Sequence, residues 1–205
     1  AEPYGRLFNS VPAFGYQRHP YRRPVIGNIE ELEAATLQDV RDFHTSYYRP
    51  DNAVLIVCGA FDVTQLDAWV DHYFGSIRQP LDPVPRISVT EPRRARDELH
   101  RLLAPNAPLP AALLIWQASK AASSDAAVLQ VTQGLLALGD SSRLNESLVY
   151  REQLAQSAGF EAQLNADAGL LVAYAIAAGQ QSAADMAGPL EREVQRLAEE
   201  PITPE

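Results

Sequence analysis

The run Ala53-Val54-Leu55-Ile56-Val57-Cys58-Gly59 constrains this chain more than any other stretch. It is apolar at successive positions, and Asp51-Asn52 on one side and Gly59 on the other bound it. That pattern predicts a strand buried on both faces. Residues 1–90 predict no second strand with comparable clarity. A lone strand leaves backbone N–H and C=O groups unpaired and cannot cover two apolar faces. Its neighbours are therefore expected from residues outside this sequence or from another copy. An unpaired apolar edge invites such pairing, so self-association is expected. Cys58, inside the run, is expected to be an inert core thiol. Both ends of the chain read as cut, and Pro201-Ile202-Thr203-Pro204-Glu205 reads as the cap of a further helix.

Helical spacing surrounds this strand. Tyr4, Leu7, Phe8, Val11 and Phe14 recur at helical intervals, although Gly5 and Pro12 weaken the pattern. Residues 15–27 read as an ordered loop. Thr36 with Asp39 forms a capping-box start for a helix that aligns Leu37, Val40, Phe43, His44 and Tyr47 and stops before Pro50. Asp62 or Thr64 starts the next helix, which is expected to bury Leu66, Trp69 and Val70 and to end at Gly75. Four prolines among charges over residues 79–95 read as an interdomain linker.

The pattern then restarts. Leu99–Leu103 and Leu109–Ser119 predict two strands, the second apolar throughout and hence central. Ser123 or Ser124 is expected to cap a helix to about Leu138, stopped by Gly139, and Asp140 or Ser141 to cap another through Val149. Gln156–Leu164 and Leu170–Ala177 predict a hairpin over Asn165–Gly169. Ser182 with Asp185 opens a last amphipathic helix carrying Leu190, Val194 and Leu197.

The chain has 205 residues and a net charge of −9 from 17 basic and 26 acidic residues, which argues against a nucleic-acid partner. No apolar stretch approaches the roughly 18 residues of a membrane span. A single cysteine excludes a disulfide framework within the chain. Zinc needs three or four converging ligands, and His19, His44, His72 and His100 show no such spacing, so no metal site is expected here. His19 is expected to brace its loop. Arg22 and Arg23, between prolines, are expected to pin that loop through buried ion pairs. Ser141 and Ser142 lack a nearby histidine or a Gly-x-Ser-x-Gly elbow, and capping accounts for them better than nucleophilic chemistry.

Two blocks carry a family resemblance. His19-Pro20-Tyr21-Arg22-Arg23-Pro24-Val25-Ile26-Gly27, with Tyr48-Arg49-Pro50-Asp51-Asn52 and the apolar run through Asp62, resembles the insulinase/pitrilysin-type zinc metallopeptidases, and most closely the bacterial relatives of the mitochondrial processing peptidase. Asp140-Ser141-Ser142-Arg143-Leu144 through Arg151-Glu152-Gln153-Leu154-Ala155-Gln156-Ser157 is similar to a family segment of the form Ser-Ser-Arg-Leu, then Leu-Arg-Glu-Lys-x-Gly-Leu-Ala-Tyr-Ser. The family's inverted zinc motif, His-x-x-Glu-His, is absent from this sequence.

The resemblance implies an α+β fold, a mostly antiparallel sheet with helices packed on one face, present as two partial domains: residues 1–85, a linker at 86–95, and residues 96–205. It implies a fragment of a bacterial zinc-dependent endopeptidase that encloses peptides in a two-domain chamber. Zinc and the catalytic base would belong to the parent, with no catalytic residue or cofactor in this chain. The chain itself would be inactive alone, supplying scaffold and contacts to a peptide or unfolded protein. In the family an arginine and a tyrosine of the second block hold the substrate backbone or developing oxyanion. Arg151 matches the arginine. Gln156 stands at the tyrosine position, with fewer residues between the two. The alternative is a non-catalytic partner or structural subunit paired with a homologous active one. By resemblance the parent is exported to the periplasm, with the cytoplasm as the other possibility.

Overall fold

Alternation along three strands organises the sheet. In the computed structural model, which describes residues 3–200, β1 (Ala111–Ala118), β2 (Ala155–Leu164) and β3 (Gly169–Ala177) form an antiparallel sheet in the order β1-β3-β2. β2 and β3 are the expected hairpin, turning over residues 165–168. Contacts group the chain into two units. One comprises Ala1–Val25 with Val89–Glu205, the other Ile26–Ser88. Pro201–Glu205, read from sequence as a helix cap, lies outside the described residues.

In the first unit, Leu171, Ala173, Ala175 and Ala177 of β3 share one face with Ala112, Leu114 and Trp116 of β1 and with Ala158 and Phe160 of β2. Helix α7 (Ala183–Glu199) covers this face with Met186 and Leu190, joined by Leu136 of α6 (Ala126–Ala137) and by Leu144 and Leu148 of the segment leading to β2. The alanines keep the sheet surface flat enough for these helices to approach closely. Burying each of these leucines contributes about 1.5–3 kcal/mol. The opposite face, Leu113, Ile115, Leu170 and Val172, meets Val11, Tyr16 and Tyr21. Val11 lies on α2 (Val11–Gly15), which follows the short α1 (Gly5–Asn9). Gly15 permits this contact, because the Leu170 side chain fills the space a Cβ would need.

Two strand expectations fail here. β1 lies at the edge of the three strands, and β3 takes the centre. Apolarity on both faces of β1 reflects cover on both sides, which an edge strand can also have. Leu99–Leu103 forms no strand and is exposed at Leu99 and Leu103. The last helix begins at the expected capping box, where Ser182 and Asp185 bond reciprocally. Gly139, at φ +82°, follows α6 as its stop.

The segment expected as an ordinary helix through Val149 is instead a π-helix, Asn145–Arg151. Its widened turn shows where the Glu152 N–H donates to the Ser147 carbonyl at 2.9 Å, a five-residue step. Gln153 then takes φ +53°, and a bulge between Ala155 and Ser157 starts β2.

Residues 79–95 carry no helix or strand. Glu91 nevertheless fixes the first unit's own loop. Its carboxylate accepts the backbone N–H groups of Gln17 at 2.6 Å, Arg18 at 3.1 Å and His19 at 2.8 Å. Burial works to raise the Glu91 pKa, and these three donors outweigh it, so the carboxyl is held below the usual glutamate range.

The second unit holds α3 (Ile29–Ala34), α4 (Leu37–Tyr47) and α5 (Val63–Phe74). The Thr36–Asp39 capping box and the Asp62 cap both form, and α5 ends at Gly75. Arg49 is buried, paired with Asp51 at 2.6 and 2.9 Å and donating to the Pro80 carbonyl at 3.1 Å. Ala53–Cys58 is extended but pairs with no strand among the described residues, and Val54, Leu55 and Ile56 are exposed. The buried strand and the core Cys58 expected from sequence are therefore corrected: with no sheet or layer against it here, the run stays open and its thiol is exposed. Leu37, Val40 and Phe43 of α4 and Trp69 of α5 are exposed for the same reason.

A glutamate with a depressed folded pKa stabilises above its unfolded pKa, and the contribution is lost as pH falls through the folded value. Glu91→Gln should therefore cost about 1 kcal/mol at pH 7 and flatten the loss of stability below about pH 4.5, read from urea unfolding at a series of pH values. Gln153→Gly should stabilise by about 0.5–1 kcal/mol, since glycine relieves the left-handed backbone but loses more freedom on folding; an unchanged urea midpoint would count against strain at this turn.

Candidate functional site

The π-helix aims its residues two ways. Ser147 and Leu148 point inward and are buried, while Arg151, at the end, keeps a side chain 54% exposed. Upstream, Ser142 is buried and its Oγ accepts the Asn145 side-chain N–H at 3.2 Å. Asn145 also donates to the Gly139 carbonyl at 3.0 Å, holding the entry to the π-helix.

Arg151 donates from Nη2 to Ser147 Oγ at 3.0 Å, and its Nη1 lies 4.0 Å from Glu146. Ser147 Oγ in turn sits 2.8 Å from Glu152 Oε1 and 2.9 Å from Glu193 Oε1. Glu193 comes from α7 and its side chain is only 2% exposed. Arg196 Nη1 donates to both its oxygens, at 3.1 and 3.0 Å. Arg192 reaches Glu152 at 2.6 Å, and Arg196 spans on to Glu200 at 3.1 and 3.0 Å. Burial would raise the Glu152 pKa, but Ser147 and Arg192 outweigh it and the carboxyl is held low. Hydrogen bonds that Arg196 donates to Glu200 and Glu193 hold it firmly in its charged form.

Gln156 is exposed at the bulge that opens β2. Among the described residues no hydrogen bond joins it to Arg151. Both side chains face solvent from neighbouring turns of chain. Arg151 offers charged N–H donors in a fixed fork, and Gln156 offers an amide donor and an acceptor. Such groups can hold peptide carbonyls and N–H groups; they supply neither a nucleophile nor a base.

The histidines are placed separately. His19 is buried, its Nδ1 accepting the Tyr21 N–H at 3.2 Å, with Nε2 3.8 Å from Asp167. His44 stacks on Tyr48, His72 lies against Tyr73, and His100 stacks on Phe14. Among the described residues no three His, Cys, Asp or Glu side chains converge on a point that could hold a metal ion. Arg22 and Arg23 are exposed, and among the described residues Arg22 bonds only to the Gln17 carbonyl, at 3.4 Å. The expected buried ion pairs give way to Glu91 and the His19 ring, because backbone N–H groups, not the guanidinium groups, carry the loop's inward contacts.

Sequence reasoning missed Ser147, Glu152, Arg192, Glu193 and Arg196. One signal was available. Glu193 falls three residues after Leu190, on the apolar stripe of α7, where a carboxylate is out of place.

The family described as "Peptidase M16 inactive domain" matches residues 34–205. A Helicobacter pylori protein named zinc protease PqqE is 28% identical over 157 residues, 76% of this chain and 34% of that protein. An uncharacterized zinc protease of Mycobacterium leprae is 32% identical over 185 residues, 85% of this chain and 39% of that protein. The chain thus spans well under half the length of these curated relatives. Among solved structures, a protease from Helicobacter pylori superposes with a TM-score of 0.78 at 24% identity, over 98% of this chain and 48% of that one. A peptidase M16 inactive domain from Pseudomonas fluorescens gives 0.75 at 13% identity, over 98% and 48%. These structures share the α+β fold, and with most of its length matched by the family, the chain belongs to the peptidase M16 inactive-domain family, within the insulinase type.

Proposed function

We propose that this chain is the non-catalytic, substrate-side part of a zinc-dependent endopeptidase. The match to the M16 inactive domain over residues 34–205, among relatives named zinc proteases, carries this reading. The described residues do not fit zinc, so in the parent the metal would be held by other residues. The chain's own contribution is to bind and orient an unfolded polypeptide along the wall of a two-domain chamber. The domain reading, 1–85 and 96–205 about a linker at 86–95, belongs to the same proposal.

Arg151 and Gln156 are the contact residues of this proposal. Arg151 keeps donors facing solvent while one nitrogen is anchored. Support for Gln156 comes from Gln153. Its φ of +53° is one glycine adopts at no cost, and the family segment carries Gly before Leu-Ala. Setting Gln153-Leu154-Ala155 on Gly-Leu-Ala puts Gln156 at the tyrosine and confines the shortening to the end of the π-helix.

A second reading is a structural or partner subunit. A neighbour titled Complex III2 from Candida albicans, at TM-score 0.72 and 18% identity over 98% of this chain and 49% of that one, shares the fold alone. The His19–Gly27 run favours the peptidase over this alternative. No helix among the described residues is long and apolar enough to cross a membrane. Export to the periplasm remains part of the proposal, supported by a neighbour titled the periplasmic protease PqqL from Escherichia coli. The exposed apolar surface of Ala53–Cys58 and α4 supports self-association or pairing with a homologous subunit.

The test is binding without cleavage. The 205-residue protein should bind fluorescein-labelled β-casein, and Arg151→Ala should weaken binding about tenfold, the loss of one charge-assisted hydrogen bond. Stoichiometric zinc uptake together with casein hydrolysis that a chelator stops would sink the reading.

A further inference from the structure

We infer that Ser147, held by the buried carboxylate of Glu193, is the positioning residue for Arg151. This rests on the reading of Arg151 as a substrate contact. Ser147 Oγ has one proton and two carboxylate oxygens within 3 Å, Glu152 at 2.8 Å and Glu193 at 2.9 Å. Whichever carboxylate receives the proton, the hydroxyl is committed to the acid side. Only its lone pairs face Arg151, whose Nη2 lies 3.0 Å away. A serine in a helix would otherwise turn its hydroxyl back to a carbonyl one turn earlier. Donation to a carboxylate also makes the oxygen a stronger acceptor for the guanidinium.

The cost of the arrangement points the same way. Glu193 is a carboxylate with a 2% exposed side chain, on a helix stripe where an apolar residue would serve the core. Burying such a charge is unfavourable unless it is paired and hydrogen-bonded. Arg196, from α7 itself, already pairs Glu193, with Arg192 3.5 Å away. The bond from Ser147 to Glu193 adds a link across to the π-helix, and that link ends on Arg151. A free arginine loses much rotamer freedom when it binds, and an anchored one has lost part of it already. The anchored nitrogen leaves the other donors free, on a side chain still 54% exposed.

The experiment separates positioning from simple stapling. In 15N-labelled protein, the Arg151 Nε–Hε signal, assigned through Arg151→Ala, should show a high heteronuclear NOE in the wild type. Ser147→Ala should lower it to the values of free surface arginines and weaken β-casein binding about fivefold, roughly the rotamer freedom that an unanchored arginine gives up on binding. Ser147→Ala with Arg151→Ala should bind no more weakly than Arg151→Ala alone. Glu193→Gln, which keeps the side-chain shape, should lower the same NOE while the backbone amide spectrum shows an intact fold. If Arg151→Ala weakens binding but the Arg151 NOE in Ser147→Ala and Glu193→Gln stays at the wild-type value, positioning is overturned and the substrate contact stands. If Arg151→Ala leaves casein binding unchanged, the substrate contact falls and takes this inference with it.

Discussion

Strand β3 has no exposed face. Leu170 and Val172 are buried on one side and Ala173, Ala175 and Ala177 on the other, and both its edges are paired. Everything else in the first unit is arranged by this double burial. The amphipathic stripe of α7 and the inward residues of the π-helix must meet the alanine face, because only side chains this small let two helical layers approach one strand. The N-terminal helices must fold back onto the other face to cover Leu170 and Val172. A one-residue slip of β3 would exchange alanines for Leu170, Val172 and Tyr174 beneath α7, so the register is fixed by volume as well as by hydrophobicity.

Features written in short-range chemistry were legible in the sequence. The capping boxes at Thr36–Asp39 and Ser182–Asp185, the Asp62 cap and the β2–β3 hairpin all stand where spacing put them, because each depends on residues within a few positions of one another. Features that depend on a distant partner were not. Apolar alternation on β1 could not say that the strand would be covered on both faces yet lie at an edge. Ala53–Cys58 had the composition of a core strand, but composition does not supply neighbours. The candidate site divides in the same way. Arg151 and Gln156 were found through resemblance to a contiguous segment. Ser147 and Glu193 are 46 positions apart and meet only once α7 packs across the sheet. The π-helix carries no sequence signature of its own, and Ser147 is buried within it.

The polar network beneath Arg151 is notable for what it holds. Two further arginines and four glutamates, with one serine at the junction, lie around the Arg151 guanidinium. A buried ion pair is a weak source of stability, so plain hydrophobic packing would serve the fold equally well at such a place. What the network supplies is direction: Glu193 holds Ser147, and Ser147 holds one nitrogen of Arg151 while that side chain stays largely in solvent.

Cys58 lies at the end of the open apolar run and is the chain's one thiol. It therefore accepts a single maleimide dye per molecule without mutagenesis. A fluorophore whose emission shifts with solvent polarity, attached there, would sit in water while the run is bare and in a drier medium once another strand lay beside it. The unpaired segment is in this sense a built-in optical sensor of any strand laid beside it, readable in real time and at concentrations far below those needed to see assembly by mass.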